Sequence, residues 1–251
     1  MLKLFRNLRK RLLSESKFSN YILYAIGEIV LVVIGILIAL SINTWNENTK
    51  NKASENAYLN DLVKDFVINL QLSNRNIDKI EKTIPKLIAL LEQSAMEAPT
   101  IALDSLNAAF TLINDMPSYN STDRVYNNLI GSGDFKLISN AELKKEIGNY
   151  YKAVDLVKLV QNTHELELVN SFQPYIMDHL DFQAVTLLRV NDFPIPPAVE
   201  ENKILDVLKD RKFRNIITLK LTILTDLLHQ NRNLEKINSR IVRLIKEQIQ
   251  S

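Results

Sequence analysis

Three histidines, a serine between two glycines, a set of tyrosines and one carboxylate inside an apolar run are the residues of this 251-residue chain whose types and spacing could do chemistry. Asp178-His179-Leu180-Asp181 brings three metal-ligating side chains close together. At helical spacing, however, Asp178 and Asp181 share a face that His179 does not, and no second histidine follows at i+4, so no metal site is expected there. His164, beside Glu165 and Glu167, and His229, near Asp226, read as solvated helix positions. Gly131-Ser132-Gly133 has neither the G-x-S-x-G spacing and strand-to-helix turn of a nucleophile elbow nor the Gly-Lys-Ser/Thr ending of a phosphate-cradling loop. Helix capping is its expected role. Tyr119, Tyr126, Tyr150 and Tyr151 are large enough to line a ligand pocket, and are expected instead as core and rim aromatics with hydroxyls that reach water. The chain has no cysteine, which excludes disulfides, thiolate metal sites and cysteine nucleophiles together. No catalytic residue, metal ligand or cofactor is expected.

The elements that would position any such group begin with Tyr21 to Trp45, YILYAIGEIVLVVIGILIALSINTW. Glu28 is the one carboxylate between Tyr21 and Ile42 and there is no proline, so the stretch exceeds the roughly 20 apolar residues that cross a bilayer as a helix. Each central Leu, Ile or Val contributes about −0.3 to −0.6 kcal/mol to insertion, and the run Ile29–Leu40 outweighs one acid at about +3 kcal/mol. Lys3, Arg6, Arg9, Lys10 and Arg11 precede it on a short amphipathic stretch with Leu2, Phe5, Leu8, Leu12 and Leu13, a pattern suited to the headgroup layer of a membrane. Cations in a short flank are held on the cytoplasmic side, which sets residues 1–20 inside and the main domain outside the bacterial cytoplasmic (inner) membrane, in the periplasm if the source is a Gram-negative bacterium. A cleaved signal peptide is the rival reading, but the apolar run is longer than the usual 7 to about 15 residues. Within the run Glu28, Gly35 and Ala39 fall on one helical stripe, and the small-xxx-small pair would admit a second helix closely, whether another copy or a partner span.

After Trp45 no glycine or proline intervenes for many residues, and the helix is expected to continue outward as a stalk. Leu59, Leu62, Phe66, Ile77, Ile80, Ile84, Leu87 and Leu91 trace one stripe. Asn69, Ser73 and Asn76 lie near it and predict weaker packing there, and Pro85 predicts a kink or restart. A short helix with Phe110 and Ile113 should end near Pro117. Thr122 or Asp123 can cap the next helix, Gly131 and Gly133 can stop it, and Ser139 with Glu142 has capping-box spacing for the helix after that, which Pro174 should end. The final helix carries Ile217, Leu221, Leu224, Leu228, Leu234, Ile237, Ile241 and Leu244. Scarce glycine (5) and proline (7) favour long helices, so the fold class expected is all-α: a transmembrane helix 21–45 and an antiparallel bundle over 46–251. A net charge of +2 without a basic face beyond the N-terminus leaves no footprint for nucleic acid.

YAIGEIVLVVIGILIALSINTWNE, residues 24–47, together with Tyr126, Leu129, Ser132-Gly133, Leu137-Ile138, Asn140, Leu143 and Tyr150-Tyr151, resembles a family of uncharacterised bacterial single-span membrane proteins, a domain of unknown function. The resemblance implies a membrane protein with a helical soluble region, and no assigned site. The expected role is therefore interaction, as a sensor-like or scaffold protein. A membrane-tethered envelope enzyme and a small-ligand-binding bundle are the alternatives, and both require a pocket with convergent titratable groups.

Overall fold

The computed structural model describes residues 18–100, 110–180 and 204–250, with side chains from residue 22 and, in the last stretch, from residue 206. The basic N-terminal stretch with Lys3, Arg6, Arg9, Lys10 and Arg11 lies outside the described residues. All regular structure described is helical, and no strand occurs among these residues. Helix α1 spans Phe18–Ala95, α2 covers residues 110–114, and α3 spans Arg124–Ser132, followed by a 3-10 turn Asp134–Leu137. Helix α4 spans Ala141–Glu167, runs into a π-helical turn Leu168–Phe172, and continues as α5, Gln173–His179. Helix α6 is Ile204–Lys209 and α7 is Arg211–Gln250. The chain forms two compact units, residues 1–57 and 58–251, with α1 contributing to both.

In the first unit the apolar side chains from Ile22 to Trp45 are exposed almost throughout. Among the described residues α1 is the helix long and apolar enough to cross a membrane.

The second unit is built on facing stripes. Leu59, Leu62, Phe66, Ile80 and Leu87 of α1 are buried with Leu143, Ile147, Tyr150, Val154 and Val157 of α4 and Leu224, Leu227, Leu234, Ile241 and Ile245 of α7. Spacings of three and four keep each set on one side of its helix, and α4 packs along α7. Phe66 meets Tyr150 edge-on at 5.0 Å, and Tyr126 stacks on Tyr151 at 3.9 Å between ring centres. The tyrosines are core and rim aromatics: Tyr119 and Tyr150 are buried, Tyr126 and Tyr151 half-buried, but the Tyr119 and Tyr150 hydroxyls, expected to reach water, meet each other at 3.1 Å inside the core.

The structure decides several local expectations. Pro85 lies inside α1, which continues for ten residues past it with no restart. Pro174 does not end α4; the backbone widens into the π turn, where the Gln173 N–H reaches back to the Leu168 carbonyl, and helix resumes. A proline removes one i→i−4 bond and crowds the carbonyl four residues earlier, and a π turn relieves that crowding without stopping the helix. Asp123 stands at the N-cap of α3 but makes no side-chain cap; the Asp65 carboxylate of α1 accepts from the Val125 N–H at 3.2 Å instead. Asn140, not Ser139, caps α4, accepting from the Leu143 N–H at 3.0 Å.

Of the two glycines expected to stop α3, one does. Gly133 adopts φ 75°, the left-handed C-terminal conformation, whereas Gly131 is helical with open space where a Cβ would project. Gly133→Ala should cost about 1–2 kcal/mol, and Gly131→Ala should gain about 0.5–1 kcal/mol of helix propensity. Urea midpoints of the full chain in mild detergent check this; midpoints moving the same way in both variants would contradict the assignment.

Candidate functional site

Two clusters of polar side chains interrupt the core of the second unit. The first is an uncharged layer between α1, α7 and the segment before α3. Asn69, Ser73 and Asn76 occupy successive stripe positions on α1, and Asn231 and Asn238 flank Leu234 on the α7 stripe. Asn69 clamps the backbone of Thr122, donating to its carbonyl at 2.9 Å and accepting from its N–H at 2.7 Å. Asn76 donates to Ser118 O at 3.1 Å and to Asn231 Oδ1 at 3.3 Å. The Tyr119 hydroxyl sits between Asn69 O at 3.3 Å, Tyr150 at 3.1 Å and Asn238 Nδ2 at 3.3 Å. Burial, together with the neighbouring Tyr119, raises the Tyr150 pKa, so its phenol stays protonated and available to this network. Positions 69–76, expected to pack weakly, are fully engaged. Polar groups paired across helices penalise any shift of register that would unpair them.

The second cluster is basic. His164 of α4 and Lys220 of α7 are each 3% exposed, and Lys220 Nζ lies 2.6 Å from His164 Nε2. Lys220 also donates to the Asp115 carbonyl at 2.6 Å, and His164 Nε2 lies 3.3 Å from the Ile113 carbonyl. Two protonated groups cannot stand this close in a dry site, so one neutral partner must accept from the other. Burial pushes Lys220 down to about 7; the Asp115 carboxylate opposes the shift and the Lys79 charge adds to it. Burial, then the charge of Lys220, lowers His164 as well. The Asp115 carboxylate itself pairs with Lys79 at 2.5 Å. Beside the pair is a pocket of about 270 Å³, its open mouth included, between α2, α4, the π turn and α7. Ile113, Phe172, Ile216 and Ile223 give it apolar walls, and Glu167 and Ser171, bonded to each other at 2.9 Å, also line it.

His164 is therefore not the solvated residue that its neighbours Glu165 and Glu167 imply. It continues the buried series Tyr150, Val154 and Val157, and Lys220 holds a slot between Ile217 and Leu224 on the α7 stripe. A basic residue at an apolar stripe position was the signal available for both. His229 is exposed, as expected. His179 is exposed too; its ring stacks on Tyr175 and its Nδ1 lies 3.0 Å from Tyr175 O. Asp181 lies outside the described residues. Among the described residues no group of three or more His, Asp or Glu side chains is placed to hold a metal. The Ser132 hydroxyl accepts from the Asp134 N–H at 3.3 Å, a turn-capping contact. Glu28, Gly35 and Ala39 remain on the exposed helix of the first unit.

Residues 28–186, more than half of the chain, match the model of a protein family. The chain belongs to DUF6090, a family of unknown function. The DUF6090 match takes in Glu28, the Asn69–Asn76 layer and His164, and stops short of Lys220 and the rest of α7. No curated protein and no solved structure matches the chain.

Proposed function

We propose that this protein is a single-pass membrane protein that acts by interaction, as a sensor-like or scaffold component, with the helical unit 58–251 outside the bacterial inner membrane and residues 1–20 in the cytoplasm. The observation that carries the reading is the helical stretch from Ile22 to Trp45, whose large apolar side chains are exposed. Lipid is the cover that such a surface requires, since in water it would be an unusually large apolar patch. On this helix Glu28, Gly35 and Ala39 form the face that meets a second copy or a partner span. No heavy atom lies within 4 Å of the position a Gly35 Cβ would take, which leaves room for a close helix crossing.

The lack of cysteine makes a direct test available. Ala39→Cys in the full chain, oxidised in native membranes, should give a dimer band on a non-reducing gel, and Leu37→Cys on the opposite face should not. If the partner is another protein, a photocrosslinker at position 39 gives a heavier adduct that Gly35→Leu removes. Equal crosslinking at both positions, or neither dimer nor adduct, overturns the packing face. Recovery of the chain in the supernatant after alkaline extraction of membranes overturns the span itself.

The pocket beside His164 and Lys220 favours the small-ligand-binding bundle over the envelope enzyme as the second reading. Its titratable groups converge, but most of its lining is apolar, which suits a small molecule held by its hydrocarbon part.

A further inference from the structure

We propose that the pocket between α2, α4, the π turn and α7 is a binding site for a small aliphatic monocarboxylate, whose anionic end takes its place at Lys220 and His164 and whose tail lies against Phe172, Ile216 and Ile223. The inference goes beyond the membrane-interaction reading and does not depend on it.

The charge balance around the pair points to an anion. The polar neighbours of Lys220 Nζ are a backbone carbonyl, a thioether and an imidazole, none of which carries a negative charge. The groups facing the pair from each packed element are Lys79 of α1, Asp115 after α2, Glu165 and Glu167 of α4, and Lys220 itself on α7. Asp115 is engaged by Lys79 and Glu167 by Ser171, so neither carboxylate is bonded to the buried bases. A ligand carboxylate would supply the missing counter-charge where low polarity makes it most effective.

The walls select the rest of the ligand. They are apolar on several sides, and Glu167 is the acidic group among them, so a second negative charge on phosphate or a dicarboxylate is disfavoured. The π turn contributes Leu168, Ser171 and Phe172 to the lining, and such turns recur at binding sites because the extra residue per turn opens the helix wall. The apolar wall is short, formed by Phe172, Ile216 and Ile223, and suits a tail of only a few carbons.

Proton bookkeeping gives the binding a signature. Without an anion the pair holds at most one proton and loses it as pH rises; a bound carboxylate favours the charged form, so binding takes up a proton and tightens as pH falls. Calorimetric titration of the full chain in mild detergent with butyrate should show one saturable site, about threefold or more tighter at pH 6 than at pH 8. Butyramide, which matches its shape without the charge, should not bind, nor should inorganic phosphate. Lys220→Met should abolish the site, and if that variant loses its near-ultraviolet tyrosine signal, Leu219→Trp at the half-open mouth, away from the bases, should block butyrate in a folded chain. No saturable heat with butyrate, equal binding of butyramide or phosphate, tighter binding at pH 8, or unaltered binding in folded Leu219→Trp or Lys220→Met would overturn the proposal.

Discussion

Phe66→Ala is expected to lower the stability of the helical unit by about 3–5 kcal/mol, a large share of the roughly 5–15 kcal/mol that holds a domain folded. Phe66 is 2% exposed, sits on the α1 stripe between Leu62 and Asn69, and packs its ring against the face or edge of Tyr150. Truncation removes that contact together with the transfer energy of the ring, and it leaves a void that the surrounding helices cannot close without unpairing the polar layer next to it. Tyrosine near-ultraviolet circular dichroism in a urea titration of the full chain reads this directly, because Tyr119 and Tyr150 are inside the same core. Ile68→Ala is the control: Ile68 is 49% exposed on the other side of α1, and its loss should change stability by less than about 0.5 kcal/mol. A comparable loss in both variants would show that α1 is not seated as described.

A pH effect of similar size is expected from Lys220. In the unfolded chain its amine titrates near the roughly 10.4 of a solvated lysine, and in the folded chain burial brings it down to about 7. Between these values the unfolded state holds a proton that the folded state lacks, so raising the pH favours folding. Stability should climb from pH 7 to about pH 10, by on the order of 3–5 kcal/mol if the whole gap is expressed. Below pH 7 the lowered His164 extends the same slope toward acid, since imidazole charges more readily once unfolded. Above about pH 10 the slope reverses. Burial raises Tyr150, Tyr151 and Tyr175, so these phenols ionise more readily in the unfolded chain and draw it out. Urea midpoints at a series of pH values should trace a rise and a fall, and Lys220→Met should flatten the rise while keeping the fall. A flat or falling profile between pH 7 and 9.5 in the natural chain would contradict the buried base.

The proposed carboxylate site and the pH profile rest on the same two residues but read different things. The profile measures how unwelcome the lysine's proton is in the empty protein. Butyrate binding measures whether an anion can make it welcome. The membrane reading is independent of both, since it depends on the exposed stretch from Ile22 to Trp45.

What the sequence determined by itself is what depends on one segment at a time. The apolar run, the all-helical class, the stripes of α1, α4 and α7, and a glycine stop within residues 131–133 each follow from local spacing or from one backbone conformation. Tertiary structure decided what depends on a facing partner. Asn69, Ser73 and Asn76 look like gaps in a stripe until Thr122, Ser118, Asn231 and Asn238 meet them. The N–H at the start of α3 is capped by Asp65, which is distant in sequence, and no local motif announces that. His164 sits among acidic neighbours that suggest water, yet the helix turns it toward Lys220. A helical period tells which side of a helix a residue occupies, whereas a buried polar side chain is stable only when the opposite helix supplies its hydrogen bond, and that pairing exists only once the helices have packed.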